Sequence, residues 1–161
     1  MINIKNKLLL KILILFSFFA LSFAFYVEFI LNHKPCILCK IERVPYLLIF
    51  LICSLSIMLN KFDKLTLFLT AIIFFVSSII SFYHWGIEES IFTEALICNL
   101  ESEIKTLSTD KLLQELKNKP ISCKDVTFKI AGFSLASINA VSSIVISAII
   151  LIKLKKNEKN K

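Results

Sequence analysis

Four long stretches of this chain carry no charged residue, and they constrain its fold more than any other feature. They cover residues 12–27, 44–60, 65–83 and 130–152. A helix needs roughly 17–25 apolar residues to cross a bilayer. Helices in the core of a soluble protein keep a polar face with a period of 3.6 residues, which these stretches lack. The sequence therefore predicts an all-α membrane protein, a bundle of four transmembrane helices.

The composition and the lengths of the links agree with one membrane domain over residues 1–161. Hydrophobic residues make up 57% of the chain, whereas a soluble domain has about 45–50%. With the flanking residues included, we predict four spans, at residues 11–31, 43–60, 65–84 and 130–152. The two cysteine-bearing loops are then residues 32–42 and 85–129.

Basic residues that flank the predicted spans indicate the orientation. They cluster before the first span, in the link over residues 61–64 and in the tail over residues 153–161. Four spans put all three clusters on one side, and positively charged flanks stay in the cytoplasm. Both cysteine-bearing loops then face outward. The net charge of +7 lies mainly in these anchors beside membrane lipid, and we expect no nucleic acid partner, which would need a folded basic face.

The N-terminus has an alternative interpretation as a signal peptide. Basic residues precede the first apolar stretch, and Ser22-Phe23-Ala24 resembles a cleavage site. Cleavage would leave three spans, with the cysteines on the same side of the membrane.

Cys36-Ile37-Leu38-Cys39 lies between the first two apolar stretches, in a compartment that permits disulfides. We expect Cys39 close to the start of the second helix, where the positive end of the helix dipole favours a thiolate. Arg43 lies one turn further along the same face. It either favours that thiolate or binds the carbonyl oxygen of an electron acceptor. An arginine that only reaches the lipid headgroups is the alternative.

Two more cysteines, Cys98 and Cys123, lie in the long polar segment between the third and fourth stretches. A second thiol pair in a loop that could reach the first one indicates thiol–disulfide exchange. A purely structural disulfide is less favoured at Cys36 and Cys39, because so short a ring adds little stability. We expect no metal, because zinc sites usually combine two short cysteine spacings, whereas the second pair is 25 residues apart and has no histidine nearby in the sequence.

Two further residues have competing interpretations. His84 directly follows the third apolar stretch. It is either a hydrogen-bonded packing residue or a proton or hydrogen-bond donor to a redox ligand. Cys53 lies in the middle of the second stretch and is predicted to be a small buried residue.

These motifs together resemble the DsbB family over nearly the whole chain. The segment Pro35–Arg43 is similar to the family's P-C-x-L-C-x-x-x-R, and Tyr83–Glu88 is similar to the Y-H-x-G-x-E of one branch. A predicted helix over residues 111–117, ended by Pro120, resembles that branch's loop helix. The start of the fourth span matches at Phe128, Gly132, Ser134, Ala136 and Asn139. The chain departs from the pattern at Lys124, where the family often has Asp, and at Ile138, where an aromatic residue is common.

The resemblance implies an oxidoreductase of the bacterial inner membrane that reoxidises a DsbA-like periplasmic protein and reduces a membrane quinone, ubiquinone or menaquinone. The partner would attack a Cys98–Cys123 disulfide and form a mixed disulfide with Cys98. The loop dithiol would reduce Cys36–Cys39, which would pass two electrons to quinone near Arg43 and His84. The alternatives are a related thiol oxidoreductase with another partner or direction, and a structural or zinc-binding membrane protein.

Overall fold

The computed structural model describes residues 4–59, 63–93, 123–124, 129–130 and 132–159. Its elements are α1 (Ile4–Phe29), α2 (Ile37–Ile41), α3 (Arg43–Leu59), α4 (Asp63–Glu88), β1 (Lys129–Ile130), β2 (Phe133–Ser134) and α5 (Leu135–Lys159). The two short strands are antiparallel, with Lys129 opposite Ser134. Cys98 and the predicted loop helix over residues 111–117 lie outside the described residues.

Within the described ranges, four helical stretches are long and apolar enough to cross a membrane. They cover residues 6–29, 37–59, 63–88 and 135–156. This confirms the predicted all-α bundle of four transmembrane helices. The second stretch combines α2 and α3, which are separated only at Glu42.

Several helix boundaries differ from the predicted spans, and the helix α1 already begins at Ile4, seven residues before its predicted start. The helix α4 continues through His84 to Glu88, because its last turn is buried against the rest of the bundle. The helix α5 begins only at Leu135, because the residues before it form the strand pair β1–β2.

The helices pack in two pairs, α1 with α3 and α4 with α5. Small polar side chains lie between the second pair, and the Ser147 hydroxyl donates to the Ala71 carbonyl at 2.8 Å. Small residues of this kind let two membrane helices approach closely. Large apolar side chains point away from the bundle instead, and Met58 and Phe19 are 79% and 65% exposed. These outer faces are suited to contact with lipid tails.

The main core lies where all four long helices meet. Its buried members are Leu10, Leu13, Tyr46, Ile49, Cys53, Leu67, Ala71, Phe74 and Ile150. Cys53 is fully buried, and its sulfur lies 3.6 Å from the hydroxyl of Thr70. The predicted packing position of Cys53 is confirmed.

After α4 ends at Glu88, the chain turns back and packs against Gly86 in the last turn of that helix. The backbone amides of Ile91 and Phe92 donate to the Gly86 carbonyl at 2.8 and 3.0 Å. The Phe92 ring stacks on Tyr83 with 5.7 Å between the ring centroids. A Cβ atom on Gly86 would lie 2.1 Å from a carbon of the Phe92 ring. A glycine is therefore required for this close packing, which fixes the start of the following segment.

Candidate active site

Cys36 caps the N-terminus of α2 with its sulfur. Its backbone is extended, with φ −66° and ψ 171°, and the backbone amide of Cys39 donates to Cys36 Sγ at 3.2 Å. This is the place where a side-chain oxygen usually accepts from a free amide at the start of a helix. The spacing of two residues between the cysteines therefore puts both on one helical turn, with the amide of the second directed at the sulfur of the first.

The imidazole of His84 approaches this turn from α4. Cys36 and Cys39 are both thiols in this structure. Cys36 is 4% exposed, and its sulfur lies 3.4 Å from His84 Nε2. The two sulfurs and this nitrogen all lie within 4.8 Å of one another. His84 is therefore a direct neighbour of the thiol pair.

A chain of buried polar groups continues from His84 into the bundle. His84 Nδ1 donates to Glu42 Oε1 at 2.7 Å, and Asn139 Nδ2 donates to Glu42 Oε2 at 2.8 Å. The side chain of Asn139 also binds Ser81 and Tyr46. His84 and Glu42 are only 2% and 8% exposed, so water contributes little to their stabilisation. The network fixes the orientation of the imidazole that contacts Cys36.

The surroundings of Cys36 favour its thiolate. The thiol of Cys39 donates to the Cys36 sulfur and lowers its pKa, and the hydrogen bond and positive charge of His84 act in the same direction. Burial opposes this effect, but the pKa of Cys36 remains well below that of an ordinary thiol. The prediction of a thiolate at Cys39 is therefore wrong. The amide at the helix start and the imidazole both face Cys36 instead.

Arg43 lies one turn after Cys39, but its guanidinium is directed toward α1. It forms an ion pair with Glu28, donates to the Ala24 carbonyl at 3.5 Å and lies 5.1 Å from the centre of the Phe25 ring. Its side chain is 19% exposed and lines the cavity described next. Arg43 thus connects α1 to α3 at the end of the bundle that carries the thiols, and its role toward a ligand stays a prediction.

A cavity of about 370 Å³ adjoins the thiol pair. Much of its wall is apolar and comes from α1 and α5, including Phe16, Ala20, Leu21, Phe23, Val27, Ala136 and Ile138. Its polar lining includes Cys36, Cys39, Glu42, Arg43, Tyr46, His84, Glu88 and Asn139. An apolar cavity with a few convergent polar groups is typical of a site for a small organic ligand.

Cys123 also lies at this end of the bundle. It is 1% exposed, is disulfide-bonded and belongs to a buried cluster with Cys36, Leu38 and Ile87. The structure therefore brings Cys36, Cys39, Arg43, His84 and Cys123 into one region. Cys98, the remaining predicted site residue, lies outside the described residues.

The sequence patterns assign no role to three polar residues of this region, which are Glu42, Glu88 and Asn139. Glu42 joins His84 to Asn139, and the side chain of Glu88 is 7% exposed beside His84. In the sequence, each of them is a polar residue within or next to an apolar span. Such a residue destabilises a membrane helix unless it has a polar partner or a function. That pattern identifies candidates but cannot show that they meet.

Comparison with known proteins agrees with this geometry. The family model "Disulfide bond formation protein DsbB" matches residues 6–153. The "Uncharacterized protein RP370" of Rickettsia prowazekii (strain Madrid E) is 34% identical over 142 residues, which cover 87% of this chain and 83% of that protein. No solved structure matches the chain. The chain belongs to the DsbB family of membrane disulfide-bond formation proteins.

Proposed function

We propose that this member of the DsbB family reoxidises a DsbA-like dithiol protein and passes the electrons to a membrane quinone, either ubiquinone or menaquinone. The observation that carries the proposal is the position of the Cys36–Cys39 thiols at the wall of an apolar cavity inside a membrane bundle. A soluble acceptor has no need of such a cavity. An apolar acceptor from the bilayer fits its wall, and Arg43 and His84 offer donors to carbonyl oxygens.

The first half of the proposed relay takes place at the loop. A thiolate of the reduced partner attacks Cys98 of a Cys98–Cys123 disulfide, so that a mixed disulfide forms and Cys123 leaves as a thiolate. The second thiol of the partner then displaces Cys98, which leaves an oxidised partner and a loop dithiol. The disulfide-bonded state of Cys123 supports the existence of the loop bond.

In the second half of the relay, two electrons pass from the loop dithiol to the Cys36–Cys39 disulfide. Cys123 attacks Cys36 of a Cys36–Cys39 disulfide, and Cys39 leaves as a thiolate. Cys98 then attacks Cys123 in the resulting Cys36–Cys123 disulfide, and Cys36 leaves as a thiolate. The loop disulfide is restored and the inner pair is reduced by two electrons. The burial of Cys123 in one cluster with Cys36 supports this exchange.

The inner pair is then reoxidised at the cavity. A bound quinone supplies the chemistry of a two-electron, two-proton acceptor. The thiolate at Cys36 is held by the Cys39 amide and by His84, whose orientation Glu42 fixes. We assign electron transfer out of the pair to Cys39, contact with the acceptor's oxygens to Arg43 and His84, and proton movement to His84.

The proposed location is the bacterial inner membrane, with both termini in the cytoplasm and the thiol end of the bundle toward the periplasm. The lysines near the N-terminus, in the link over residues 61–64 and in the tail support this orientation. A DsbA-like partner in the periplasm can then reach the loop.

The test uses the purified full chain with a reduced DsbA-type protein and a soluble quinone analogue, and it follows quinone absorbance and partner thiols together. We expect one quinone reduced for each partner disulfide formed, and no reaction when Cys39 is replaced by serine. Cys53→Ala is the matched control, because it removes a thiol of the main core that does not line the cavity. Partner oxidation without quinone reduction would refute the proposed acceptor.

The partner is identified by a separate trapping experiment. In Cys123→Ser, Cys98 has no loop cysteine to pair with, so its thiol attacks the disulfide of an oxidised soluble partner, and alkylation of free thiols preserves the mixed disulfide before the partner's second thiol resolves it. A soluble dithiol oxidase on this chain is the expected product. Recovery of a different class of protein would refute the DsbA-like partner and favour a related oxidoreductase.

A further inference from the structure

The thiol pair and His84 have the spacing of a transition-metal site. In a tetrahedral zinc site, bond lengths of about 2.3 Å to sulfur and 2.05 Å to nitrogen put neighbouring sulfur and nitrogen ligands about 3.5 Å apart. Cys36 Sγ and His84 Nε2 are separated by 3.4 Å, and Cys39 Sγ lies within 4.8 Å of both. A small movement of Cys39 would complete three corners of a tetrahedron.

Glu88 offers the fourth ligand. Its side chain is 7% exposed, and its Oε1 lies 3.9 Å from His84 Nε2. Its other carboxylate oxygen, Oε2, is buried without a hydrogen-bond partner in the described part of the chain. A buried carboxylate oxygen without a partner is costly, and a cation bound through Oε1, the oxygen that lies near His84, would balance the charge of the whole carboxylate.

The neighbours of His84 are also those of a metal ligand. A histidine that binds a metal almost always donates its second ring N–H to a carboxylate or a carbonyl. His84 donates Nδ1–H to Glu42, and Asn139 holds the second oxygen of Glu42. Release of the Nε2 proton on metal binding then directs the Nε2 lone pair at the two sulfurs.

We propose that the dithiol form of the site binds one Zn²⁺ ion through Cys36, Cys39 and His84, with Glu88 as the fourth ligand. Binding displaces the thiol protons, and a Cys36–Cys39 disulfide excludes it. The expectation of no metal rested on the spacing of the four outward cysteines and on the lack of a histidine near the second pair in the sequence. The structure instead supplies an imidazole from α4, 48 residues after Cys36. This proposal does not depend on the quinone or on the partner.

The experiment titrates the reduced full chain in detergent with Co²⁺ and then with Zn²⁺, in the absence of quinone and partner. We expect a thiolate-to-cobalt absorption band that saturates at one equivalent and disappears as Zn²⁺ displaces Co²⁺. The same band is expected in Cys53→Ala. It should be missing from Cys39→Ser, from His84→Ala and from the oxidised parent chain.

Two carboxamide variants test the proposed carboxylates. Glu42→Gln should weaken Zn²⁺ binding by about 10- to 100-fold, as is usual when the partner of a ligating histidine is lost. Glu28→Gln is its matched control, because Glu28 pairs with Arg43 instead, and it should bind as the parent does. Loss of affinity in Glu88→Gln supports the fourth ligand, and an unchanged affinity would remove Glu88 from the site.

The site is refuted if the reduced parent shows no band, or if the band persists in Cys39→Ser or in the oxidised chain. The comparison of reduced with oxidised parent needs no substitution, so it decides the question even where a variant fails to fold. A normal zinc result beside a failed quinone assay would refute only the proposed function.

Discussion

Replacement of Glu42 by glutamine is expected to weaken the thiolate at Cys36 without changing either cysteine. Glu42 accepts from His84 at 2.7 Å and from Asn139 at 2.8 Å. Glutamine has one oxygen and can accept only one of these bonds. A lost hydrogen bond to a charged group costs about 1.5–3 kcal/mol, and one pKa unit corresponds to about 1.36 kcal/mol. The pKa of Cys36 should therefore rise, by at most about 1–2 units, the limit reached when the whole loss falls on the imidazolium that faces Cys36.

The sign follows from the groups around Cys36. Its sulfur faces the Cys39 thiol and the His84 imidazole, and His84 in turn faces Glu42 and Glu88. In the parent chain the lowered pKa keeps Cys36 ionised as the pH falls below the ordinary thiol value of 9.0. Without Glu42 the imidazolium is less stable, so Cys36 takes up its proton at higher pH and its reactivity falls in that window.

The assay measures the rate at which iodoacetamide alkylates Cys36 in the reduced chain as a function of pH, with peptide mass spectrometry to assign the site. The midpoint for Glu42→Gln should move toward alkaline pH. Glu28→Gln, a carboxylate change beside Arg43, should retain the parental midpoint. Superimposable profiles for Glu42→Gln and the parent, or equal shifts in both variants, would show that the carboxylate–imidazole pair does not stabilise the thiolate.

Four further outcomes are expected. Cys39→Ser should abolish quinone reduction while the chain still inserts, as measured by quinone absorbance and membrane fractionation. Cys53→Ala should keep turnover within tenfold of the parent, because its sulfur is fully buried in the bundle core. Arg43→Lys keeps a charge but loses the planar fork, so the apparent KM for quinone should rise by about 10- to 150-fold with unchanged mixed-disulfide formation at Cys98. An unchanged KM would restrict Arg43 to its contacts with Glu28 and α1. Gly86→Ala should displace Phe92, because the new Cβ would overlap its ring, and the displacement should appear as faster hydrogen exchange at the Phe92 amide.

The helical bundle could be predicted from the sequence because a bilayer allows few alternatives. Backbone groups in lipid must be bonded internally, so an uncharged stretch of sufficient length becomes a spanning helix. The Cys36–Cys39 motif could be predicted to be redox-active in the same way, because its chemistry depends on the local spacing of the two cysteines. Helical spacing from Cys39 indicated Arg43, the position after the third apolar stretch indicated His84, and the family resemblance supported both as site residues.

The arrangement of the site could not be predicted in the same way. Which cysteine is the thiolate depends on the approach of His84, which is 48 residues from Cys36 along the chain. The link from Glu42 to Asn139 joins residues 97 positions apart. Such contacts arise from the packing of whole helices, which periodicity does not encode. The ion pair of Arg43 with Glu28 likewise depends on the pairing of α1 with α3.

The packing of Phe92 on Gly86 limits the distance between the Cys98 thiol and the helix bundle. Cys98 follows Phe92 by six residues, and an extended chain spans about 3.5 Å per residue. Cys98 can therefore never be more than about 20 Å from this anchor. At the other end of the loop, Cys123 is held in one cluster with Cys36.

Under the proposed relay, this tethering makes the exchange between the two thiol pairs a first-order process. Short tethers give an effective concentration in the millimolar range, so the inward transfer is independent of how many copies of the chain the membrane holds. The overall rate at low substrate should then vary with the abundance of the soluble partner and with the filling of the lipid-soluble acceptor pool. The number of copies of this protein in the membrane would set the maximum rate of turnover. The rate constant of each internal step would stay unchanged.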